Sequence, residues 1–351
     1  MTTSIDEGVE SKLLGKRVEL EKNEEPGNAI YYFKHGLRFV HPYKHVFTCF
    51  VKRRWIGSKL IDVYSKEFKA FSRDYYVHAL NCHQQEEVQA TSKFRGKIRV
   101  NGKGVDEEYV LRDGDKIEHE TWREETPVIA GLPAIVKESA EFLIVNKPSS
   151  VPVHSCGNFL HNTLQNILVN DLGFRNPPNA KEMAKAAAKT RAETPAQAEE
   201  KVEPLQCRGE IKTVHRLDRQ TSGLVFFAKT QRASDRFRKL MIDNKISKVY
   251  YARVRGDFSK CRGLDSERQE VRVSNMIFCV SNIDAFWDCC EESQLKFEFK
   301  DKAKLAVTRF KFKRYDAESC TSLVKCYPLT GRTHQIRVHL KHLGFPIAND
   351  Q

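Results

Sequence analysis

HRLDRQTSGLVFFAK (residues 215–229) is the stretch on which the reading of this chain turns. It sets one carboxylate, Asp218, between Arg216 and Arg219, in a loop that feeds an apolar run rich in Val and Phe. Such a run, bounded by turn residues, reads as a β-strand. Cations close to a carboxylate favour its ionised form and lower its pKa. Thr221 and Ser222 can hydrogen-bond the loop back on itself, and Gly223 permits the tight turn into the strand. Alone, an aspartate flanked by arginines is more often a surface ion pair than a reaction centre. The surrounding sequence has to decide between the two.

Downstream, ASDRFRKLMIDNKI (233–246) has the spacing of an amphipathic helix with Phe237, Leu240 and Met241 inward. KVYYARVRG (248–256) alternates as a strand, with its Lys and Arg residues on an edge or open face and with Tyr250 and Tyr251 on opposite faces. Residues 257–300 read less clearly, as strands and loops. TSLVKCYPLTGRTHQIRVHLKHLG (321–344) runs from strand through turn to helix, with Ile336, Leu340 and Leu343 on one stripe and Gly344 as a C-cap. Upstream, EFLIVNKP (141–148) is a buried strand stopped at Lys147-Pro148. Residues 176–210 are rich in Ala, Lys and Glu and read as a surface insertion, partly helical around Lys181–Lys189.

Before the proline-punctuated linker Thr126–Pro133 lies a smaller unit. Residues 31–52 mix aromatic and β-branched residues with bases, as short strands or an extended arm. Arg54–Phe71 has helical spacing, with Ile56, Leu60, Val63, Tyr64 and Phe68 on one stripe. GKIRVNGKGVDEEYVLRDGDKIEHE (96–120) alternates around a tight Asn101-Gly102 turn and a second turn at Asp113-Gly114-Asp115. The expected organisation is a disordered tail (1–28), an N-terminal arm and small basic unit (29–125), and a larger domain (134–351) interrupted by the 176–210 insertion. The chain stops seven residues after Gly344 without a closing element, so the C-terminal end of that domain is expected to be incomplete.

Composition narrows the function classes. The 351 residues are 40% hydrophobic, enough for a real core, and carry a formal net charge of +13. That surplus favours polyanions, although a merely basic soluble protein has the same signature. No stretch approaches the roughly 18 consecutive apolar residues a membrane span needs. The first residues lack an apolar core and include Asp6, Glu7 and Glu10, so a cytoplasmic or nuclear location is expected ahead of a mitochondrial one. The 10 cysteines form no C-x-x-C pair and read as reduced thiols. His339 and His342 meet on one helix face, but no thiol or carboxylate close in sequence joins them or His334, so no metal site is expected.

Four segments together resemble the RluA-type RNA pseudouridine synthases. HRLDRQTSGL follows the pattern H-R-L-D-x-x-T-S-G-L. NKPSSVPVHSCGNFLHNTL (Asn146–Leu164) is similar to N-K-P-x-G-x-x-V-H followed by N-T-L, with Ser150 where the pattern has glycine. Lys248–Gly256 fits K-x-Y-x-A-x-V-x-G, and LTGRTHQIRVHLKHLGFPIAND (329–350) fits T-G-R-x-H-Q-I-R-x-H-L. The resemblance spans about Ala140 to Asp350 outside the insertion. Gly36–Phe71, with its RWIG and SKEF, is similar to a block of the eukaryotic RNA pseudouridylate synthase domain-containing branch. GKIRVNGKGV…LRDGDKI resembles the alpha-L RNA-binding module, although a small domain that merely braces its neighbour would also fit.

The resemblance implies an α+β catalytic fold with a central mixed, mainly antiparallel sheet, preceded by the alpha-L-like unit. It implies isomerisation of uridine to pseudouridine in tRNA or mRNA by a monomer, without metal, redox or small-molecule cofactor and without a membrane. Asp218 matches the catalytic aspartate, Tyr250 the tyrosine that packs on the flipped base, and Arg337 a basic residue that pairs with the aspartate. Arg216, Arg332 and His154 complete the expected substrate-binding set; Arg332 and Arg337 are alternatives for binding phosphate rather than Asp218. The chemistry agrees, because breaking a glycosidic C–N bond needs a carboxylate beside C1′ or C6. An extruded base also needs a flat aromatic face in place of its lost stacking. The rival expectation is a catalytically inactive RNA-binding or RNA-chaperone protein of the same fold. Retention of Asp218, Tyr250 and Arg337 speaks against it. A fused deaminase would need the zinc signature H-x-E…P-C-x-x-C, which this sequence lacks.

Overall fold

The computed structural model describes residues 29–68, 70–82, 96–176, 208–281 and 286–350. The tail read at 1–28 and nearly all of the insertion read at 176–210 lie outside them. Residue contacts divide the chain into two units, Met1–Pro127 and Val128–Gln351.

Unit 1 opens with a hairpin of β1 (Tyr31–Lys34) and β2 (Leu37–Val40), followed by β3 (Tyr43–Phe50). Helices α1 (Leu60–Glu67) and α2 (Arg73–Asn81) come next, then β4 (Gly96–Val100), β5 (Lys103–Gly104) and β6 (Lys116–Arg123). The antiparallel sheet order is β3-β6-β4-β5. Asn101 and Gly102 have φ of 52° and 77°, the left-handed pair that a two-residue type I′ hairpin requires. Ile98, Val100 and Ile117 point inward and pack with Trp55, Leu60, Tyr64, Tyr76 and Leu80. The helical spacing read over Arg54–Phe71 resolves into a 3-10 turn (Arg53–Trp55), a break, and α1. Ile56 therefore leaves the apolar stripe and is 42% exposed, because its ψ of 132° is extended. Helix α2, started by the Ser72 side chain accepting from the Tyr75 backbone N–H, was not apparent from the spacing.

Unit 2 runs β7 (Val128–Ile129), β8 (Ala134–Glu138), β9 (Phe142–Lys147), α3 (Leu164–Leu172), β10 (Lys212–Thr213), β11 (Gly223–Ala228) and α4 (Gln231–Ile242). It continues with β12 (Tyr250–Arg255), β13 (Glu270–Ser281), β14 (Phe286–Cys290), β15 (Lys304–Asp316), β16 (Thr321–Pro328) and α5 (Gln335–His342). A four-stranded sheet has the order β10-β11-β9-β8, and a five-stranded sheet the order β12-β16-β15-β13-β14. Their ladders are antiparallel, with one isolated parallel bridge between Arg175 and Glu210. With helices packed on these sheets, unit 2 has an α+β fold.

Leu143, Val145, Val225 and Phe227 from β9 and β11 form one core with Leu164, Ile167 and Leu168 of α3. In α4, Phe237 is buried while Leu240 and Met241 are half-buried. Ala252, Val254, Phe310, Val324 and Cys326 form a second core with Leu340 of α5. The poorly legible stretch 257–300 contains β13, whose pairing with β14 shifts between Cys279 and Ser281. Such an irregularity breaks the two-residue period, and the adjacent Ile277 and Phe278 are both buried.

Candidate active site

The loop carrying Asp218 leaves β10 and enters β11. Buried Leu217 anchors it, and the Thr221 backbone N–H donates to the Asp218 carbonyl at 3.1 Å. Gly223 turns the chain into the strand at φ +130°, a conformation that favours glycine. His215 braces the far side of the loop: its Nε2 accepts from the Phe226 backbone N–H at 3.0 Å, and its ring stacks on Phe237 at 5.6 Å. Burial holds the His215 pKa below its ordinary value, which suits a neutral acceptor.

Beneath the loop lies Lys147, the last residue of β9, with no exposed surface. Its Nζ donates to the carbonyls of Pro148 at 2.8 Å, Val151 at 2.7 Å and Arg219 at 3.1 Å. One ammonium thus ties the NKP loop to the Asp218 loop, using the three donors that lysine has. Burial pulls its pKa down to about 8, and the Asp218 charge opposes that pull. In the same NKP loop Ser150 sits at φ +69°, the left-handed conformation that explains why the motif prefers glycine there. Its Oγ accepts from the Ile129 backbone N–H at 3.0 Å.

The direct side-chain partner of Asp218 comes from the start of α5. His334 Nδ1 lies 2.9 Å from Asp218 Oδ2, with the two side chains 25% and 27% exposed. The His334 backbone is left-handed, with φ 53° and ψ 21°, and that turns its ring toward the carboxylate. Arg337 Nη1 is 3.9 Å from the same Oδ2 and 3.0 Å from His334 Nδ1, while its Nε donates to Asp350 at 2.6 Å. A single ring nitrogen cannot donate to the carboxylate and accept from the guanidinium at once. An ionised carboxylate needs a donor, so Nδ1–H directed at Asp218 is the consistent tautomer. The pairing expected between Asp218 and Arg337 is therefore a longer, lateral one: Arg337 is anchored on Asp350, and His334 stands between. Burial pushes the Asp218 pKa up, but the His334 hydrogen bond, then the charges of Arg337 and Arg216, more than reverse it. The carboxyl titrates below its ordinary range.

Tyr250 is half-buried at the start of β12 and packs against both cores of unit 2. Its hydroxyl pKa is raised by burial and, to a smaller extent, by the Asp218 charge. Tyr251, on the opposite face, is 61% exposed. Arg216 is exposed at the lip of the site and acts on Asp218 through its charge. His154 is half-buried, with its Nδ1 buried and unpartnered; burial and the Arg216 charge both lower its pKa. Arg332 is exposed, with its Nε donating to the Leu305 carbonyl at 3.1 Å. Buried Gln335 holds the turn between β16 and α5: Oε1 accepts from Thr330 Oγ1 and the Arg332 N–H, and Nε2 donates to the Val307 carbonyl and Thr308. His339 is also buried, with its Nδ1 2.9 Å from Thr308 Oγ1.

The segments singled out in the sequence thus converge on one carboxylate. His334 and Lys147 are the residues that reasoning on types and spacing did not assign, although both stand inside quoted motifs.

The family described as RNA pseudouridylate synthase matches residues 141–342, a span that includes Lys147, Asp218, Tyr250, His334 and Arg337. A protein of Oryza sativa subsp. japonica named RNA pseudouridine synthase 7 is 34% identical over 93% of this chain and 68% of its own length. The Homo sapiens protein named Pseudouridylate synthase RPUSD2 is 34% identical over 91% of this chain and 47% of its own. In Saccharomyces cerevisiae, the protein named tRNA pseudouridine(32) synthase, mitochondrial, is 31% identical over 97% of this chain and 60% of its own. The chain therefore spans about half to two thirds of the length of these relatives.

Proposed function

The chain belongs to the RNA pseudouridylate synthase family, and from that premise we propose that it isomerises uridine to pseudouridine in RNA, with Asp218 as the catalytic carboxylate. The observation that carries the proposal is the half-buried Asp218 carboxylate, kept ionised by His334 at 2.9 Å. The reaction is intramolecular. The C1′–N1 bond breaks, the uracil turns, a C1′–C5 bond forms, C5 gives up its proton and N1 gains one. Asp218 supplies the anionic oxygen beside C1′ or C6 that this sequence needs. The Tyr250 ring packs on the extruded base. Arg216 neutralises phosphate at the lip of the site, Arg337 supports the Asp218 charge from 3.9 Å, and His154 lines the site.

The substrate class we favour is tRNA, with mRNA as the second candidate; the yeast relative named as a tRNA enzyme supports that order. We read residues 29–125 as an RNA-binding unit whose strand β4 carries Lys97 and Arg99 outward. The test is pseudouridine mapping on unmodified tRNA and mRNA transcripts after incubation with the wild type and with Asp218→Asn. Wild type should modify a defined uridine and the variant none. Equal modification by both would overturn the assignment of Asp218, and no modification by either would favour the catalytically inactive reading.

A further inference from the structure

The five-stranded sheet has a second face that the Asp218 site does not use. Its inner face carries Tyr250, Ala252, Val254, Phe310, Val324 and Cys326 and packs against Leu340 of α5. On the outer face, alternate residues of the same strands carry charge. Across the ladder Tyr251 stands opposite Lys325, Lys325 opposite Lys311, and Lys311 opposite Glu270. One row along, Tyr327 stands opposite Arg309, and Arg309 opposite Arg272. Arg253 and Arg255 extend the face along β12.

We propose that this outer face is a second RNA-contacting surface, which takes the phosphate backbone of the substrate away from the reacting uridine. The inference rests on RNA being the substrate. Its carrier is an excess of cations that the protein's own acids do not absorb. Glu270 bridges Arg309 at 3.2 Å and Lys311 at 3.5 Å, and Asp316 lies 3.4 Å from Arg253. Arg255, Arg272 and Lys325 have no carboxylate partner among the described residues. A merely solvated face would mix signs, since like charges on adjacent strands destabilise a sheet. Rings interleave with these cations. The Arg309 guanidinium lies 4.5 Å from the Tyr327 ring centre, and Lys325 Nζ lies 5.2 Å from that ring and 5.8 Å from Tyr251. Tyr251 remains 61% exposed and offers a flat face to an unstacked base. Cations with interleaved aromatics are the chemistry of single-stranded RNA binding, whereas an acidic protein would need the charge alone.

The experiment measures affinity for an unmodified tRNA transcript against salt concentration, using the full chain. In Arg255→Gln/Arg272→Gln/Lys325→Gln, three phosphate contacts are removed, so the slope of log Kd against log salt should fall by about 2. The rate at saturating RNA should be unchanged and KM raised. The charge-keeping variant Arg255→Lys/Arg272→Lys/Lys325→Arg should restore the slope, which separates contact loss from misfolding. Arg232→Gln/Arg236→Gln/Arg238→Gln on α4 removes the same charge elsewhere and should leave the slope alone; an equal fall there would overturn the proposal in favour of net charge. Loss of poly-glutamate binding with unchanged RNA affinity in the sheet variant would overturn it in favour of an acidic protein partner. If wild type makes pseudouridine and the sheet variant keeps its slope, this proposal fails alone. If wild type makes none and the slope still falls, the catalytic reading fails and the surface stands.

Discussion

Replacing His334 by asparagine tests whether the Asp218 charge is set by the ring beside it. The perturbation removes a hydrogen bond of 2.9 Å between two side chains that are about a quarter exposed. Hydrogen bonds to charged groups contribute about 1.5–3 kcal/mol, so rate should fall by roughly ten- to a hundredfold if the bond persists to the transition state. Asparagine is the right replacement because His334 is left-handed at φ 53°, a conformation asparagine adopts more readily than most residues. Alanine would add backbone strain of about 1–2 kcal/mol and confuse the outcome. The sign follows from the linkage. The His334 bond lowers the Asp218 pKa, so its removal raises that pKa, and the loss of rate should grow as pH falls. Arg337→Gln should move the acid limb in the same direction but less far, since its guanidinium is 3.9 Å from the carboxylate and is anchored on Asp350. The assay is single-turnover tritium release from RNA labelled at C5 of uridine, at saturating enzyme, from about pH 8 down to the ordinary carboxylate range of about 4 and below, as far as the protein stays folded. An acid limb for His334→Asn that superimposes on wild type would refute the reasoning, as would a larger shift in Arg337→Gln.

Lys147→Met should leave three carbonyls without their shared donor, at about 1–3 kcal/mol for each unsatisfied group, so urea unfolding should show a loss of at least ~3 kcal/mol; a smaller loss would mean the loops do not depend on that ammonium. Tyr250→Phe should retain RNA affinity and most activity, whereas Tyr250→Ala should weaken both, and equal defects would point to the hydroxyl rather than the ring. Burial holds His119 and His339 at about 4, below the unfolded value of about 6.5. Their contribution to stability is therefore complete above about pH 6.5 and lost as pH falls toward about 4, at up to ~1.4 kcal/mol per pH unit for each group. The urea midpoint should drop between pH 7 and 5, and His339→Gln should flatten that drop for unit 2. Ser150→Gly should lie within about 0.5 kcal/mol of wild type, because relief of the left-handed strain offsets one exposed hydrogen bond, whereas Ser150→Val should cost ~2 kcal/mol or more by melting temperature.

What could be read in advance depended on how local each cause was. The strand Gly223–Ala228 and the helix Gln335–His342 follow from short-range periodicity, and their boundaries lie close to the motifs that announced them. Strand β13 is hard to read because buried Asn275 puts a polar residue on the inward face, and because Ile277 and Phe278 are both buried beside the register shift against β14. The role of His334 was hidden for a different reason. Its partner stands 116 positions away in sequence, and the contact depends on one left-handed backbone residue that no propensity predicts. Arg337 was the plausible partner by charge, but charge does not reveal that Asp350 already holds it. Spacing marks Lys147 only as a strand stop, since three carbonyl acceptors from two loops cannot be inferred from composition.

These departures from local rules gather around one atom group. Ser150 and His334 adopt left-handed backbone, and Lys147 buries an ammonium, each at a cost the chain would avoid elsewhere. They persist because their surroundings over-determine them. Gln335 makes four hydrogen bonds that fix where α5 begins, His339 meets Thr308 on β15, and Leu340 seats the same helix in the core. His334 is thus held from one side only, by the packing of α5 on the five-stranded sheet, while Asp218 is held from the other by Lys147 and His215 beside the four-stranded sheet. The 2.9 Å contact between them is the join of two separately rigid supports. Changes in the α5 packing, such as Leu340→Ala, should therefore lower the rate at saturating RNA more than they lower RNA affinity. Equal losses in both would mean that α5 binds RNA instead of orienting the carboxylate's partner.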